Sequence, residues 1–323
     1  MRTAILLPGQ GIHLPGALIH LRRDATVADV LDAVDATTIR LPHRISHLLT
    51  RTGGPTSKAL FAHDPLSFHV ATFTAVVALG RVVLRHLADD AVTLLGHSVG
   101  ELAALAVAGS LRVEDGARFL LARHEAIAQI APPPGGLLVV TAPECATREL
   151  VHTPGLPDVA LAADNAPSQT VVSGPDDQLK AFAAVAAERG HTATRLSGAD
   201  MFHNELLSPA AAALHEYLHT VPVAAPSVPI WSPLLRRPYA NEDELRAAPA
   251  HHLTRPAHLR TAMLDLHSTG VRRFIDTGPR DVVAKLAKAT LPEADVTAVA
   301  RKPVPPDHVI HILRPRSDVP HGQ

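Results

Sequence analysis

Residues 94–105, LLGHSVGELAAL, place Ser98 between two glycines, after an apolar run and before a segment of helical character. A Gly-x-Ser-x-Gly pentapeptide between a strand and a helix is typical of a nucleophile elbow, a tight turn that lifts the serine hydroxyl clear of a sheet. The N–H groups at the start of the following helix favour a developing oxyanion. The stretch therefore predicts an α/β fold with Ser98 as nucleophile; the alternative is a glycine-rich turn in which the serine only caps the helix.

The composition is that of a globular chain without a strongly charged partner. The 323 residues are 46% hydrophobic and 19% charged, which is enough to bury a full core. A net charge of −1 provides no overall field to attract nucleic acid or an anionic membrane. A single cysteine, Cys145, excludes an internal disulfide and favours a reducing compartment. With no signal-peptide pattern and no long uninterrupted apolar stretch, we expect a cytoplasmic monomer.

The apolar pattern divides the chain into a larger unit and an inserted smaller one. In the larger unit it predicts strands at 3–7, 92–95, 227–232 and 272–278. It predicts helices at 66–88, 99–110, 113–130 and 281–290. Residues 24–53 have weak helical character, and the C-terminal tail is expected to end in a strand. Between them, residues 136–196 follow a β-α-β-β-α-β order, which is ferredoxin-like. We predict a large subdomain from 1–131 and 202–323 and a small one from 132–201.

A family resemblance extends over nearly the whole chain. GHSVGELAALAVAGSLRVEDGARFLLAR (96–123) resembles the malonyl-CoA:acyl carrier protein transacylase family, which includes the acyltransferase domains of polyketide synthases. Four further stretches agree in the right order: LLPGQG (6–11), DNAPSQTVVSGP (164–175), FHNELLSPA (202–210) and FIDTGPRDVVAKL (274–286). The resemblance implies an α/β-hydrolase-like core with a ferredoxin-like insert. Because the given sequence includes no fused ketosynthase or carrier, we expect a discrete enzyme that acts in trans, with an excised domain as the alternative.

The resemblance also implies the catalytic residues. Ser98 corresponds to the family's nucleophile and His203 to its base, in a dyad whose imidazole is oriented by a backbone carbonyl, which we assign to His252. Gln10 and Val99 correspond to the residues whose amides form the oxyanion hole. Asn165 corresponds to a structural asparagine near the site.

The acyl group is less well defined by the sequence. Arg123 stands where family members place the guanidinium that binds a malonyl carboxylate through two parallel hydrogen bonds. Phe202, before the base, leaves little room for an α-methyl group, and we place Met201 beside it in the pocket. Three departures count against malonate: Asp64 replaces a usual glutamine and is expected to neutralise Arg123 if it faces the pocket; Ile12-His13 replaces a second glutamine; and GADM (198–201) matches neither common specificity quartet.

The expected reaction is a ping-pong transfer with no bound cofactor. An acyl-CoA, most simply malonyl-CoA, acylates Ser98, and the phosphopantetheine thiol of an acyl carrier protein accepts the group for polyketide or fatty-acid biosynthesis. Carrier proteins are acidic, so a basic rim is expected, for which the candidates are Arg148, Lys285, Lys288, Arg301 and Lys302. Two alternatives remain open: transfer of an unusual group, such as an aminoacyl unit, between two carriers in an antibiotic or other secondary-metabolite pathway, and hydrolysis of acyl thioesters. A non-catalytic docking scaffold is disfavoured by the intact Ser98, His203 and Gln10.

Overall fold

Two sheets organise the chain in the computed structural model, which describes residues 1–10, 12–87, 90–196, 200–300 and 303–313. The strands are β1 (Arg2–Leu7), β2 (Ala91–Gly96), β3 (Gly135–Val140), β4 (Ala160–Ala166), β5 (Gln169–Pro175), β6 (Ala193–Arg195), β7 (Ile230–Ser232), β8 (Arg237–Pro238), β9 (Arg273–Asp276) and β10 (Asp295–Ala298). The helices are α1 (Ala25–Thr37), α2 (Ile45–Thr50), α3 (Ser57–His63), α4 (Pro65–His86), α5 (Val99–Val107), α6 (Val113–Ile130), α7 (Glu144–Val151), α8 (Asp176–Glu188), α9 (Ser208–His219), α10 (Glu242–His251), α11 (Leu259–Ser268), α12 (Val282–Thr290) and α13 (Pro306–Leu313).

The larger sheet has the order β10-β9-β1-β2-β7-β8, and its strands are parallel except for the β7–β8 pair. β1 and β2 pair in register from Arg2 and Ala91 to Leu7 and Gly96, so both strands end at the same level. Parallel sheets of this kind bind ligands beyond the carboxyl ends of their strands. The loop after β1 and the turn that carries Ser98 therefore meet at the edge where a site is expected.

The helix α4 forms the centre of the main core. It has the length and mean hydropathy, 1.6, of a membrane-spanning segment, but 89% of this window is buried within the protein. Gly80 of α4 faces Val107 of α5 so closely that a Cβ there would lie 2.8 Å from a valine methyl. α4 is therefore a core helix, and it packs tightly against α5, the helix that follows Ser98.

The smaller sheet has the order β4-β5-β3-β6, antiparallel throughout, which is the ferredoxin-like arrangement of a β-α-β-β-α-β unit. Leu138 and Val172 on one face pack with Phe182 of α8. Leu137 and Val171 on the opposite face pack towards Ala257 of the large subdomain. The predicted fold class, α/β with a ferredoxin-like insert, is confirmed.

Two parts of the predicted secondary structure are wrong. Residues 306–313 of the tail form the helix α13 and not a strand, because Val309 and Leu313, four residues apart, are both buried, as suits one face of a helix. The helical segment predicted over 24–53 is interrupted between α1 and α2, where Pro42 disfavours helical geometry at the residue before it. The strand β10, which pairs with β9, was not predicted from its half-buried sequence.

Candidate active site

The turn after β2 holds Ser98 in a strained conformation, as in a nucleophile elbow. Ser98 has φ 56° and ψ −123°, a conformation that L-residues rarely adopt, and it precedes the first residue of α5. A Cβ on Gly96 would lie 2.3 Å from Cα of Glu101, and one on Gly100 would lie 1.9 Å from the carbonyl oxygen of Leu7. The two glycines that flank the serine in sequence are therefore required by close backbone contacts.

Ser98 and His203 form a hydrogen-bonded pair. Oγ of Ser98 lies 3.0 Å from Nε2 of His203, and Nδ1 of the same imidazole lies 2.6 Å from the carbonyl oxygen of Arg255. Since the carbonyl can only accept, Nδ1 carries the proton, and Nε2 is left to accept from the serine hydroxyl. The arrangement fits a nucleophile and its general base, with the base oriented by a backbone carbonyl.

The carbonyl that orients His203 is not the one predicted. The carbonyl oxygen of His252 accepts from the backbone N–H of His203 at 3.3 Å, and the imidazole instead contacts the carbonyl of Arg255. The reason is that α10 ends at His251, and the turn that follows brings the later carbonyl towards the ring. The sequence could not identify Arg255 in this role, because the acceptor is its backbone carbonyl, which every residue has.

His203 is held in its neutral form. Only 4% of the residue is exposed. Burial is the main cause that lowers the pKa of His203 to about 3; the hydrogen bond to the Arg255 carbonyl opposes this shift, and the nearby His252, His97 and Arg123 add to it. The imidazole is therefore uncharged throughout the neutral pH range, with Nε2 next to Oγ of Ser98.

Gln10 and Val99 lie at the edge where β1 and β2 end. A Cβ on Gly9 would lie 2.7 Å from the carbonyl oxygen of His97, so the two loops are in direct backbone contact. Val99 is the first residue of α5, and its N–H has no acceptor within that helix. The side chain of Gln10 is fixed by a 3.1 Å hydrogen bond between its Nε2 and Nδ1 of His69. The role of the Gln10 and Val99 amides in an oxyanion hole stays a prediction.

A cavity of about 120 Å³ lies between the two subdomains and contains the dyad. Its walls include Gln10, Ser98, Phe202 and His203 from the large subdomain, with Leu137, Val139, Ala163, Asn165 and Val171 from the small one. Asn165 is nearly buried; its amide nitrogen lies 3.4 Å from Oε1 of Gln169, and its oxygen has no hydrogen-bond partner in the described part of the chain. Asn165 therefore lies at the cavity wall, close to the dyad.

Arg123 is a buried cation beside the dyad. Its guanidinium carbon lies 4.6 Å from the ring centroid of Phe202, and 5% of the residue is exposed. Within the described ranges the guanidinium forms no hydrogen bond or ion pair. Burial lowers the pKa of Arg123 to about 10 and the charge of Asp200 raises it, so the side chain is charged at neutral pH. Met201, predicted to line the pocket, packs its sulfur against Gly135 of β3 and is not among the residues of the cavity wall.

The carboxylate of Asp64 does not face Arg123, so the condition for neutralising Arg123 is not met, and the assignment of Asp64 to substrate binding is wrong. It caps the N-terminus of α4, accepting from the N–H of Ser67 at 3.0 Å, and pairs with Nδ1 of His43 at 2.8 Å. The reason is its position immediately before a helix, where a carboxylate is stabilised by unpaired backbone N–H groups. Asp64 is thus engaged away from the cavity.

The acidic neighbour of Arg123 is Asp200, which the sequence did not single out. One oxygen of this carboxylate lies 3.1 Å from Nε2 of His69, and 43% of the side chain is exposed. Burial raises the pKa of Asp200, but the hydrogen bond and charge of His69 and the charge of Arg123 outweigh it, so the net shift is downward. Asp200 stands three residues before His203, within the stretch that departs from the common specificity quartets.

The described members of the predicted basic rim are engaged within the chain. Arg148 pairs with Glu144 at 2.7 Å, and Lys285 pairs with Asp281 at 3.1 Å. Lys288 donates to the carbonyls of Pro292 and Ala294 at 2.9 and 3.2 Å. Arg301 and Lys302 lie outside the described residues. Carrier docking by this set stays a prediction.

Comparisons with known proteins agree with the geometry. The family model described as acyl transferase domain matches residues 23–314. The spectinabilin polyketide synthase system protein NorB of Streptomyces orinoci is 30% identical over 295 residues, which is 90% of this chain but only 13% of that protein.

Solved structures match over most of the chain. The acyltransferase domain from the second module of the salinomycin polyketide synthase is 27% identical with a TM-score of 0.78, covering 96% of this chain and 72% of that one. The acyl-carrier-protein S-malonyltransferase of Burkholderia pseudomallei 1710b has a TM-score of 0.84 at 24% identity, covering 96% and 99% of the two chains. At 24% identity, the similarity to the Burkholderia structure supports the fold alone.

Proposed function

This chain belongs to the acyl transferase domain family, and we propose that it moves a malonyl group from malonyl-CoA, through an ester on Ser98, to the phosphopantetheine thiol of an acyl carrier protein. The observation that carries the choice of acyl group is Arg123, a buried cation beside Phe202 without a hydrogen-bond partner in the described chain. A buried charge is unfavourable unless it is paired. The free carboxylate of a malonyl group supplies such a partner in a planar, two-point geometry that suits a guanidinium.

In the first half of the reaction, Nε2 of His203 takes the proton from Oγ of Ser98 as the oxygen attacks the thioester carbonyl. The amides of Gln10 and Val99 stabilise the tetrahedral oxyanion. The carbon–sulfur bond then breaks, and the CoA thiol leaves with the proton from His203. The product is a neutral imidazole and a malonyl ester on Ser98.

The second half reverses these roles with a different thiol. The phosphopantetheine thiol gives its proton to Nε2 of His203 and attacks the ester carbonyl of acyl-Ser98. The carbon–oxygen bond breaks, and Oγ of Ser98 recovers its proton from His203. Malonyl-CoA and the carrier arm are the substrates in this scheme, free CoA is released, and no bound cofactor takes part.

A second candidate is the transfer of a cationic acyl group, such as an aminoacyl unit, between two carriers. The observation that favours it is Asp200, an ionised and half-exposed carboxylate whose field acts on Arg123. A negative group at this place attracts an ammonium and repels the carboxylate of malonate. We prefer malonyl transfer because Arg123 is the more deeply buried of the two charges and therefore has the greater need of a partner.

The two candidates are separated by the intact mass of the protein after incubation with malonyl-CoA, acetyl-CoA, or a carrier loaded with an aminoacyl group. The proposal expects a gain of one malonyl group from malonyl-CoA and little gain from acetyl-CoA. If the protein gains mass only from the aminoacyl carrier, aminoacyl transfer is the function and malonyl transfer is rejected. Decay of the malonyl ester at equal rates with and without a holo carrier would identify a thioester hydrolase.

A further inference from the structure

A buried hydrogen-bonded cluster lies behind the dyad, outside the cavity wall. Glu101 of α5 is fully buried, three residues after Ser98. One oxygen of its carboxylate lies 2.7 Å from Nε2 of His252, and the other accepts from the hydroxyl of Tyr239. A carboxylate in the interior is tolerated only when it is hydrogen-bonded in this manner; Tyr239 satisfies one oxygen, and His252 links the other to a different segment of the chain.

The same histidine begins the segment that holds the catalytic base. The carbonyl of His252 accepts from the N–H of His203, the carbonyl of Leu253 from the N–H of Asn204 at 2.8 Å, and the carbonyl of Arg255 from Nδ1 of His203. Residues 252–255 thus contact residues 203–204 at three points. The bond between Glu101 and His252 joins this segment to α5, whose first residue follows the nucleophile.

We propose that Glu101 and His252 are positioning residues that set the distance between Oγ of Ser98 and Nε2 of His203. The contacts form a closed path from Ser98 along α5 to Glu101, across to His252, along the segment to Arg255, through the imidazole of His203, and back to Ser98. Both ends of the reacting pair have positive φ values, 56° at Ser98 and 60° at His203. Such conformations persist only where the surroundings fix them.

The inference rests on the dyad of the proposed function but not on the identity of the acyl group. Its test therefore uses a fluorophosphonate probe, which labels a serine activated by a base irrespective of the natural substrate. The main variants are His252→Leu, which removes the donor to Glu101, and His252→Gln, which keeps an amide donor. Tyr239→Phe is the matched control, since it removes the other hydrogen bond to the same carboxylate without altering residues 252–255.

We expect His252→Leu to label about 100-fold more slowly, because a displacement of about 1 Å between reacting groups has an effect of this size. KM for the acyl thioester stays unchanged while the rate constant of acylation falls. His252→Gln recovers most of the rate, and Tyr239→Phe lowers the thermal midpoint while it keeps the labelling rate.

A folded His252→Leu protein that labels as fast as the wild type overturns the inference. If this variant does not fold, Glu101→Gln takes its place, because it preserves the volume and weakens the bond to His252; native thermal stability with an unchanged labelling rate again overturns the inference. His203→Ala is the reference. Fast labelling of this variant rejects the dyad itself. If His203→Ala labels slowly while the His252 and Glu101 variants label fast, only the role of Glu101 and His252 is rejected.

Discussion

The guanidinium of Arg123 lies over the ring of Phe202, 4.6 Å from its centroid, and Phe202 directly precedes the base His203. A cation over an aromatic face is stabilised by the ring quadrupole, and more strongly when both are buried. The contact therefore brings the group proposed to bind the acyl carboxylate next to the residue proposed to activate the nucleophile. The two proposed groups are therefore neighbours in space, although Arg123 belongs to α6 and is far from His203 in sequence.

Arg123→Ala is expected to abolish the preference for malonyl-CoA over acetyl-CoA. Each hydrogen bond to a charged group contributes about 1.5–3 kcal/mol, so the loss of two corresponds to a decrease of at least about 100-fold in the rate for malonyl-CoA. Single-turnover acylation with both thioesters measures the ratio. Arg118→Ala, an exposed arginine on the same helix, is the control. An unchanged ratio in Arg123→Ala would show that another residue binds the carboxylate.

Asp200→Asn is expected to improve acylation by malonyl-CoA. The variant removes a negative charge near Arg123 and keeps an oxygen that can accept from His69, so repulsion of the malonyl carboxylate is relieved. An interaction of about 1 kcal/mol corresponds to a decrease of about fivefold in KM. Asp177→Asn, exposed on the small subdomain, is the control. A large loss of malonyl loading in Asp200→Asn would contradict the account, because Asp200 would then help to bind the substrate.

The rate of acylation is expected to be constant from pH 8 to about pH 5. Burial lowers the pKa of His203 to about 3, so the base stays neutral and competent well below the ordinary histidine value of 6.5. The rate then falls only as the pH approaches the lowered pKa. Stopped-flow single-turnover measurements in overlapping buffers give the profile. A midpoint near pH 6.5 would mean that the imidazole is solvated in the working enzyme.

His13 is expected to make the fold sensitive to acid. Burial, followed by the charge of Arg280, lowers the pKa of His13 to about 4, and neither ring nitrogen has a hydrogen-bond partner in the described chain. The unfolded state therefore binds more protons between pH 6.5 and pH 4, and the free energy of unfolding falls as the pH falls through this window.

His13→Leu removes this titration. Between pH 7 and pH 5, protonation of unfolded His13 lowers the unfolding free energy of the wild type by about 2 kcal/mol, from about 1.5 pKa units at 1.36 kcal/mol each. The variant is expected to lack this loss. Denaturant unfolding at the two pH values measures the difference, with the exposed His20→Gln as control. Equal pH dependence in His13→Leu and the wild type would assign the acid sensitivity to other buried histidines.

The sequence predicts the parts of the site that local motifs encode. The glycines around Ser98 require a tight turn, and short apolar runs in β-α-β-β-α-β order over 136–196 predict the strands of the smaller sheet. The histidine that reaches Ser98 was identified by resemblance, since one of 21 histidines cannot be chosen on composition.

What the sequence could not predict depends on tertiary contacts. Asp64 precedes the helix α4, and Asp200 precedes His203. Which of these two carboxylates lies near Arg123 depends on how α4 and the loop before His203 pack, and this cannot be read from the sequence. The carbonyl of Arg255 is a backbone group, so its role depends on how the chain turns after α10. The cluster of Glu101, Tyr239 and His252 joins residues up to 151 positions apart and has no local signature.

In the proposed reaction, Ser98 carries the acyl group on its way from CoA to a carrier. This step is measured by intact mass after rapid mixing with malonyl-CoA, followed by addition of a holo acyl carrier protein. We expect one malonyl group on the wild-type chain, none on Ser98→Ala, and transfer of the group to the carrier on addition. Stoichiometric labelling of Ser98→Ala by malonyl-CoA would reject Ser98 as the acyl carrier.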